Sequence, residues 1–496
     1  MFLLGYDIGS SSIKAALVEI DTGRKVAVVQ SPETEMEILA RQPGWAEQHP
    51  ETWWEHLCRA TRKLLQTTGI SSADVKGIGI AYQMHGLVLV DRERKVLRPS
   101  IIWCDSRAVG IGNRAFELIG QHRCLSRLLN SPGNFTASKL KWVQQNEPEL
   151  YDRIYKMMLP GDYLAMRLTG ETCTTPGGLS EGILWDFQEN KAAELLLDHY
   201  QLDKSLIPPV RPTFSRQGEL TREAAEATGL KAGIPVAYRA GDQPNNAMSL
   251  NVLRPGEVAA TGGTSGVVYG VVDRPVFDPA SRVNGFVHVN HSTSDPRIGI
   301  LLCINGAGIQ YSWIKHQVTP TEGSYDQMEL LAASVPPGAD GLRMLPFGNG
   351  AERMLDNKNI GARIKNLHFN RHGRAHLYRA ALEGIAFAFV YGMGILREMG
   401  LELEVMRVGN DNLFQSKVFS GTIANLIGCR IEMFEATGAI GAAKAAGVAT
   451  GFYHSIEEAM QGATIRAIYE PEPAVSAFEA AYQDWRSDLN EILVHI

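Results

Sequence analysis

The stretch Phe2-Leu3-Leu4-Gly5-Tyr6-Asp7-Ile8-Gly9-Ser10-Ser11-Ser12-Ile13-Lys14 decides the fold, because its middle returns halfway along the chain as Ala260-Thr261-Gly262-Gly263-Thr264-Ser265-Gly266. Each copy lies between two short apolar, β-branched runs: 2–5 and 13–18 around the first, 258–260 and 267–271 around the second. That pattern predicts a tight β-hairpin whose tip exposes backbone N–H groups and hydroxyls. Glycine lets backbone approach a ligand closely, and converging N–H groups suit phosphate oxygens. One such turn is unremarkable. Two in one chain predict a pair of related domains gripping one nucleotide from opposite sides.

Working outward from the first turn, 25–30 reads as a third strand, 51–67 as a helix and 75–81 as a buried strand ending at Gln83-Met84-His85-Gly86. Three antiparallel strands, a helix and a further strand match the opening of a ribonuclease-H-like domain, and the order begins again near Gly256. The expected fold class is therefore α/β, with two ribonuclease-H-like domains of the actin and hexokinase type, 1–250 and 251–496, and a cleft between them. A chain of 496 residues accommodates two such cores. A helix should start near Pro244, a long buried one should cover 376–398, 405–408 should be a strand, and the small-residue run 437–448 should be a closely packed helix.

A net charge of -6 gives no general reason to expect nucleic acid or an anionic membrane as partner, so anionic ligands need local groups. The apolar stretch 385–396, broken by Tyr391, Gly392 and Gly394, reads as too short to span a bilayer. No basic region precedes the first apolar residues, and the six scattered cysteines show no metal spacing. A cytoplasmic protein with reduced thiols is the expectation.

Asp7, beside the first turn, is placed to hold Mg²⁺, which takes one or two carboxylates plus phosphate oxygens; it could equally cap the turn. Lys14 either reaches a phosphate or is an exposed strand lysine. In Gly241-Asp242-Gln243-Pro244, Pro244 suits a first helical turn and Asp242 or Gln243 the cap before it. A carboxylate held ionised there could take the proton of an attacking hydroxyl, or simply cap the helix. Met84 and His85 offer a carbon-facing thioether and an imidazole, a platform for a polyhydroxylated ligand, although a histidine at a strand end is often structural. Gly306 with Gln310 and Gly409 with Asn410 could flank a nucleotide from two sides. The chain has neither a Walker A pattern nor a protein-kinase signature.

Taken in order, Asp7-x-Gly9, Gly44-Trp45-Ala46-Glu47-Gln48, Gln83-Met84-His85-Gly86, Trp103-Cys104-Asp105-Ser106-Arg107, the run 134–140, the run 159–164, Gly241-Asp242, Gly263-Thr264-Ser265-Gly266 and 376–383 closely resemble the FGGY carbohydrate kinases, nearly end to end, and within them the xylulokinase branch. The resemblance implies ATP-dependent phosphorylation of a ketopentose, D-xylulose at its 5-hydroxyl, with Mg²⁺. It implies Asp242 as proton acceptor, Met84, His85, Gln243 and Asn134 as sugar contacts, and Asp7 near the metal. Gly9, Ser10, Lys14, Gly263, Thr264, Gly306, Gln310, Gly409 and Ser416 would serve the nucleotide. Dimers are common in the family, so a second copy of the chain is a candidate partner. Two departures stand out. Gln243 follows the catalytic Asp where this branch usually has Asn, and Gly409-Asn410-Asp411 replaces a triple glycine ahead of a short insertion. The alternatives are a kinase of the same family acting on ribulose, glycerol or a related polyol, and an actin-like ATPase.

Overall fold

Strands Phe2–Ile8 and Ile13–Glu19 pair antiparallel from Phe2 opposite Glu19 to Ile8 opposite Ile13, leaving Gly9 to Ser12 as the tip. The computed structural model that shows this describes residues 1–410, 412–472 and 476–495. Lys25–Ser31 adds to the hairpin antiparallel, while Val75–Tyr82 joins the other side of the first strand in parallel. Pro235–Gly241 and Phe214–Glu219 extend that side, giving a six-stranded sheet. The helix Pro50–Thr68 lies against the first sheet, burying Trp53, Leu57 and Leu64, and ends on Gly69 in the left-handed region.

The second turn heads the same arrangement. Glu257–Gly262 and Gly266–Val272 form its hairpin, Ile298–Ile304 is the third antiparallel strand, and Val405–Gly409 runs parallel on the far side. Asn284–Val287, Ile431–Phe434 and Ile465–Tyr469 complete a seven-stranded sheet. The chain is thus a mixed α/β protein built twice on one plan, as the repeated turn predicted.

Between Val75–Tyr82 and Phe214–Glu219 the first sheet carries a run of short helices, among them Thr136–Asn146, Pro160–Thr169 and Pro176–Glu181. Leu129, Phe135 and Leu140 from this run share a hydrophobic core with the second sheet, whereas Tyr6, Trp53 and Ile80 belong to a separate core of the first. The expected long helix is Arg374–Glu398, 25 residues that contain the apolar stretch 385–396; by length and composition only it passes for a membrane span, and its most apolar window is 89% buried within the fold, as in a core helix. The small-residue helix is Gly438–Ala449, and it packs on the first sheet. A Cβ on Gly5 would meet the Ala439 carbonyl at 1.9 Å, and one on Gly79 the Ala442 carbonyl at 1.9 Å, so only glycine allows this approach. All six cysteines are free thiols.

Candidate active site

Three strand ends create the site. Tyr82 lies in register with Ile8 on one side and with Gly241 on the other, so the first strand, Val75–Tyr82 and Pro235–Gly241 finish at one edge of the sheet. Residues leaving such carboxyl ends face the crevice where open α/β sheets bind ligands. That edge therefore brings together Asp7 and the Gly9 turn, the Gln83-Met84-His85 loop, and Asp242.

Asp242 opens the helix Asp242–Ser249, with Gly241 in the cap position. This corrects the expectation of Asp242 or Gln243 as cap: the strand runs straight into the helix, and Asp242 already takes a helical position. Pro244 does stand in the first turn, where its missing N–H has no partner to lose. Burial and, after it, the Asp7 charge push the Asp242 carboxyl up to about 7, while the Gln243 amide favours the ionised form. Burial also raises Asp7, opposed by Lys14, which faces it across the hairpin. Asn245, one turn along the helix, donates to the Gly438 carbonyl at 3.0 Å and accepts from the Tyr238 hydroxyl at 3.1 Å. The start of Gly438–Ala449 is thereby fixed beside Asp7, whose Oδ2 lies 2.8 Å from where a Gly438 Cβ would stand.

Met84 and His85 follow Tyr82. His85 adopts φ 63°, and its Nδ1 lies 2.9 Å from the Glu181 carbonyl oxygen. Only an Nδ1–H makes that bond, so Nε2 is left as an acceptor. Burial, reinforced by the Lys139 charge, pushes the imidazole down to about 3, so the ring is neutral. Phe135 meets it edge-on with centroids 4.7 Å apart. Buried Lys139 donates to the His85 and Ile102 carbonyls, 2.9 Å each, and pins the loop; burial brings its ammonium down to about 7. Asn134 donates to the Asp105 carbonyl, and its Oδ1 is buried without a partner.

Backbone hydrogen bonds hold both turns in place. The Gly9 amide bonds the Ser12 carbonyl at 3.0 Å, closing the first tip, and Gln48 and Trp103 reach Ser10. At the second, the Gly308 amide bonds Gly263 at 2.9 Å and that of Ile309 bonds Thr264 at 3.2 Å, seating the helix Ala307–Gln317 on the turn. Gly306 has φ 85°, and a Cβ there would meet the Pro346 carbonyl at 1.8 Å. Gln310 stands one turn into that helix with Oε1 buried and unpartnered. Gly409 ends the strand beside the hairpin, with Val408 opposite Ala260. Ser416 caps Lys417–Ile427 by accepting from the Phe419 amide and donates to Glu329 at 2.6 Å. Asp411 lies outside the described residues. Among the described residues no three His, Cys, Asp or Glu side chains are grouped to cage a metal ion.

Residues 2–249 match the FGGY family of carbohydrate kinases, N-terminal domain, and residues 258–450 match its C-terminal domain. The chain belongs to the FGGY family of carbohydrate kinases. The xylulose kinase of Escherichia coli (strain K12) is 29% identical over 99% of this chain and 98% of its own. The L-xylulose/3-keto-L-gulonate kinase of the same strain is 30% identical over 98% and 96%. The crystal structure of xylulose kinase from Rhodospirillum rubrum superposes with a TM-score of 0.88 at 27% identity, over 99% of both chains. The protein is thus an FGGY carbohydrate kinase that uses ATP, and its fold is that of the xylulose kinases.

Sequence reading gave no individual role to four residues that the fold brings beside this candidate site. Lys139 and Asn245 hold the loop and the lobe contact described above. Glu181 lies buried beside Met84 and Gly241. Arg353 reaches the N-terminal side from the other lobe: its guanidinium sits 5.3 Å over the Phe135 ring and it bonds Asn284. Only its place just after the glycine-rich segment 348–350 hinted at it.

Proposed function

We propose that the protein transfers the γ-phosphoryl group of ATP to the 5-hydroxyl of D-xylulose, with Asp242 as general base. The observation that carries this is the convergence of Asp242 with Met84 and His85 at one sheet edge, Tyr82 being in register with both strand ends. Sugar lies against Met84, accepted by His85 Nε2 and by the free Oδ1 of Asn134, with Gln243 beside the reacting end. ATP spans the cleft with its phosphates between the Gly9-Ser10 and Gly263-Thr264 turns. Lys14 stands near them, Gly306 and Gln310 lie along the nucleotide, and Gly409 and Ser416 bound the adenosine end. Residues 1–250 then hold the sugar and 251–496 the nucleotide, in a cytoplasmic enzyme of xylose use that can pair as a homodimer.

Phosphoryl transfer asks for positioning and charge neutralisation more than covalent chemistry. Asp242, at a helix N-terminus, takes the hydroxyl proton, a contribution of about 10²–10⁴-fold. Mg²⁺ fits beside Asp7, whose carboxylate and neighbouring Asp242 form a negative, incompletely caged corner suited to a cation that keeps water and phosphate ligands. When bound, it would neutralise phosphate charge. A different acceptor is favoured by one observation, Gln243 in place of Asn, and by the 30% identity to a kinase of L-xylulose and 3-keto-L-gulonate. ADP release with Mg²⁺·ATP decides between them, measured over D-xylulose, L-xylulose, D- and L-ribulose, glycerol and gluconate. D-xylulose should give the highest kcat/KM; a higher value for another sugar replaces the acceptor, and sugar-independent hydrolysis removes the kinase reading.

A further inference from the structure

We infer that Arg353 is a specificity-determining residue lent to the sugar pocket by the C-terminal half: its guanidinium donates to the C2 carbonyl of an open-chain 2-ketose, the end opposite the hydroxyl that Asp242 deprotonates. The inference rests on the proposed ketose acceptor and on Asp242 as base. A 2-pentulose closes its furanose ring through its 5-hydroxyl, so phosphorylation there needs the open chain, with the carbonyl free. That carbonyl accepts hydrogen bonds and donates none, so it calls for a donor.

A series of contacts runs from the base to such a donor. Met84 Cγ stands 2.6 Å from the point a Gly241 Cβ would occupy, next to Asp242. His85 follows Met84, Phe135 meets the His85 ring edge-on, and the Arg353 guanidinium lies over the Phe135 ring. Arg353 Nη2 is 3.2 Å from where a Gly133 Cβ would stand, beside Asn134. Asp242, His85, Asn134 and Arg353 each keep some exposure among buried neighbours, so they border open space and not the core. The Arg353 charge acts on His85, and Cys303 is acted on by Arg353 and Asp242 together.

The guanidinium is free to take a ligand. Asn284 accepts from Nη1, while Nε and Nη2 have no acceptor among the described residues and are not sealed from solvent. No carboxylate among the described residues pairs with it, although burial penalises its charge. A largely enclosed cation without an acid is costly until a ligand oxygen meets it. Its rival role is a brace between the halves, with Asn284 on one side and Phe135 on the other.

The test compares wild type and Arg353→Met on the best ketose acceptor and on its analogue with the C2 carbonyl replaced by CH₂. Methionine keeps an unbranched stem against Phe135 but offers no donor. Wild type should lose at least tenfold in kcat/KM on the analogue, as a site that hydrogen-bonds a substrate group does when the group is missing. Arg353→Met should lose at least tenfold on the ketose, mostly in KM, discriminate the analogue by less than threefold, and leave the KM for ATP unchanged. A wild-type penalty below threefold overturns the inference without any variant. So does an undiminished penalty in Arg353→Met, the outcome of a brace, which would cost both acceptors equally. If Arg353→Met does not fold, Arg353→Ala replaces it with the same two outcomes. Failure of D-xylulose itself shows separately, in the choice of best ketose. An Asp242→Asn enzyme of normal turnover would remove the base without touching the carbonyl comparison.

Discussion

In the proposed mechanism Asp242 concentrates most of the chemistry in one side chain. Replacing it with Asn keeps shape and helix start but removes the proton acceptor, so Asp242→Asn should bind sugar with near-normal affinity by calorimetry. Its kcat should fall about 10²–10⁴-fold. Because burial and Asp7 hold the carboxyl near 7, the base is protonated, and inactive, below that pH in the free enzyme. kcat/KM for sugar should therefore rise with pH through about 7 and level off above it. Asp7→Asn removes the charge that opposes ionisation, so it should shift this limb to lower pH as well as lowering activity; an unmoved limb would dissociate the two carboxylates. The Asp242 segment was legible because Gly-Asp-Gln-Pro joins a helix-start signal to a carboxylate. The cap itself was misassigned, since sequence does not show that the strand enters the helix without a loop. The buried Glu181 was invisible for a related reason: its closeness to Gly241 and Met84 is made by the fold, which brings them to it from elsewhere in the chain.

Among the elements, the helix Gly438–Ala449 shows how closely backbone can approach backbone. Its alanines and glycines were readable as a close-packing surface, but the sheet they pack on was not, because nothing local to 437–448 names residues 5 and 79. Gly79→Val places a side chain where the Ala442 carbonyl already stands, so the helix must lift. Overpacking of this kind typically destabilises by about 1–3 kcal/mol, and thermal unfolding should shift down accordingly. The lift also draws Gly438 away from Asp7 and Asn245, so the variant should lose activity well below its melting temperature. A variant that melts early yet turns over normally would show that the helix start is not coupled to the site. The strands and long helices of both sheets fell close to their expected positions because alternating and continuous apolar runs specify them. The short helices of residues 83–213 had no counterpart in the sequence reading, because most are set by tertiary contacts with one another and with the first sheet rather than by a long periodic pattern of their own.

Across the whole molecule, the two halves meet through polar side chains that imitate sheet pairing. Asn130 donates to the Gly285 carbonyl at 2.7 Å and accepts from the Gly285 amide at 3.2 Å, and Ser180 accepts from the Val287 amide at 2.9 Å. Each engages the edge strand Asn284–Val287 from the other half. Asn130→Ala strips two buried hydrogen bonds from this junction and should lower stability in urea by about 1–3 kcal/mol, with little change in the KM for ATP. A neutral result would make the junction a passive contact. The two-domain plan was legible from one repeated turn, whereas the junction depends on tertiary pairing alone.

The order in which the chain is made meets this architecture awkwardly. Strands of the first sheet emerge from the ribosome early, yet the helix that covers one of their faces comes from residues 438–449. Until those residues are translated, a groove of glycine and small apolar side chains stays open to other nascent chains. Truncated products that stop short of residue 438 should therefore be sticky and quickly degraded, and a separately supplied segment spanning the helix should rescue their solubility.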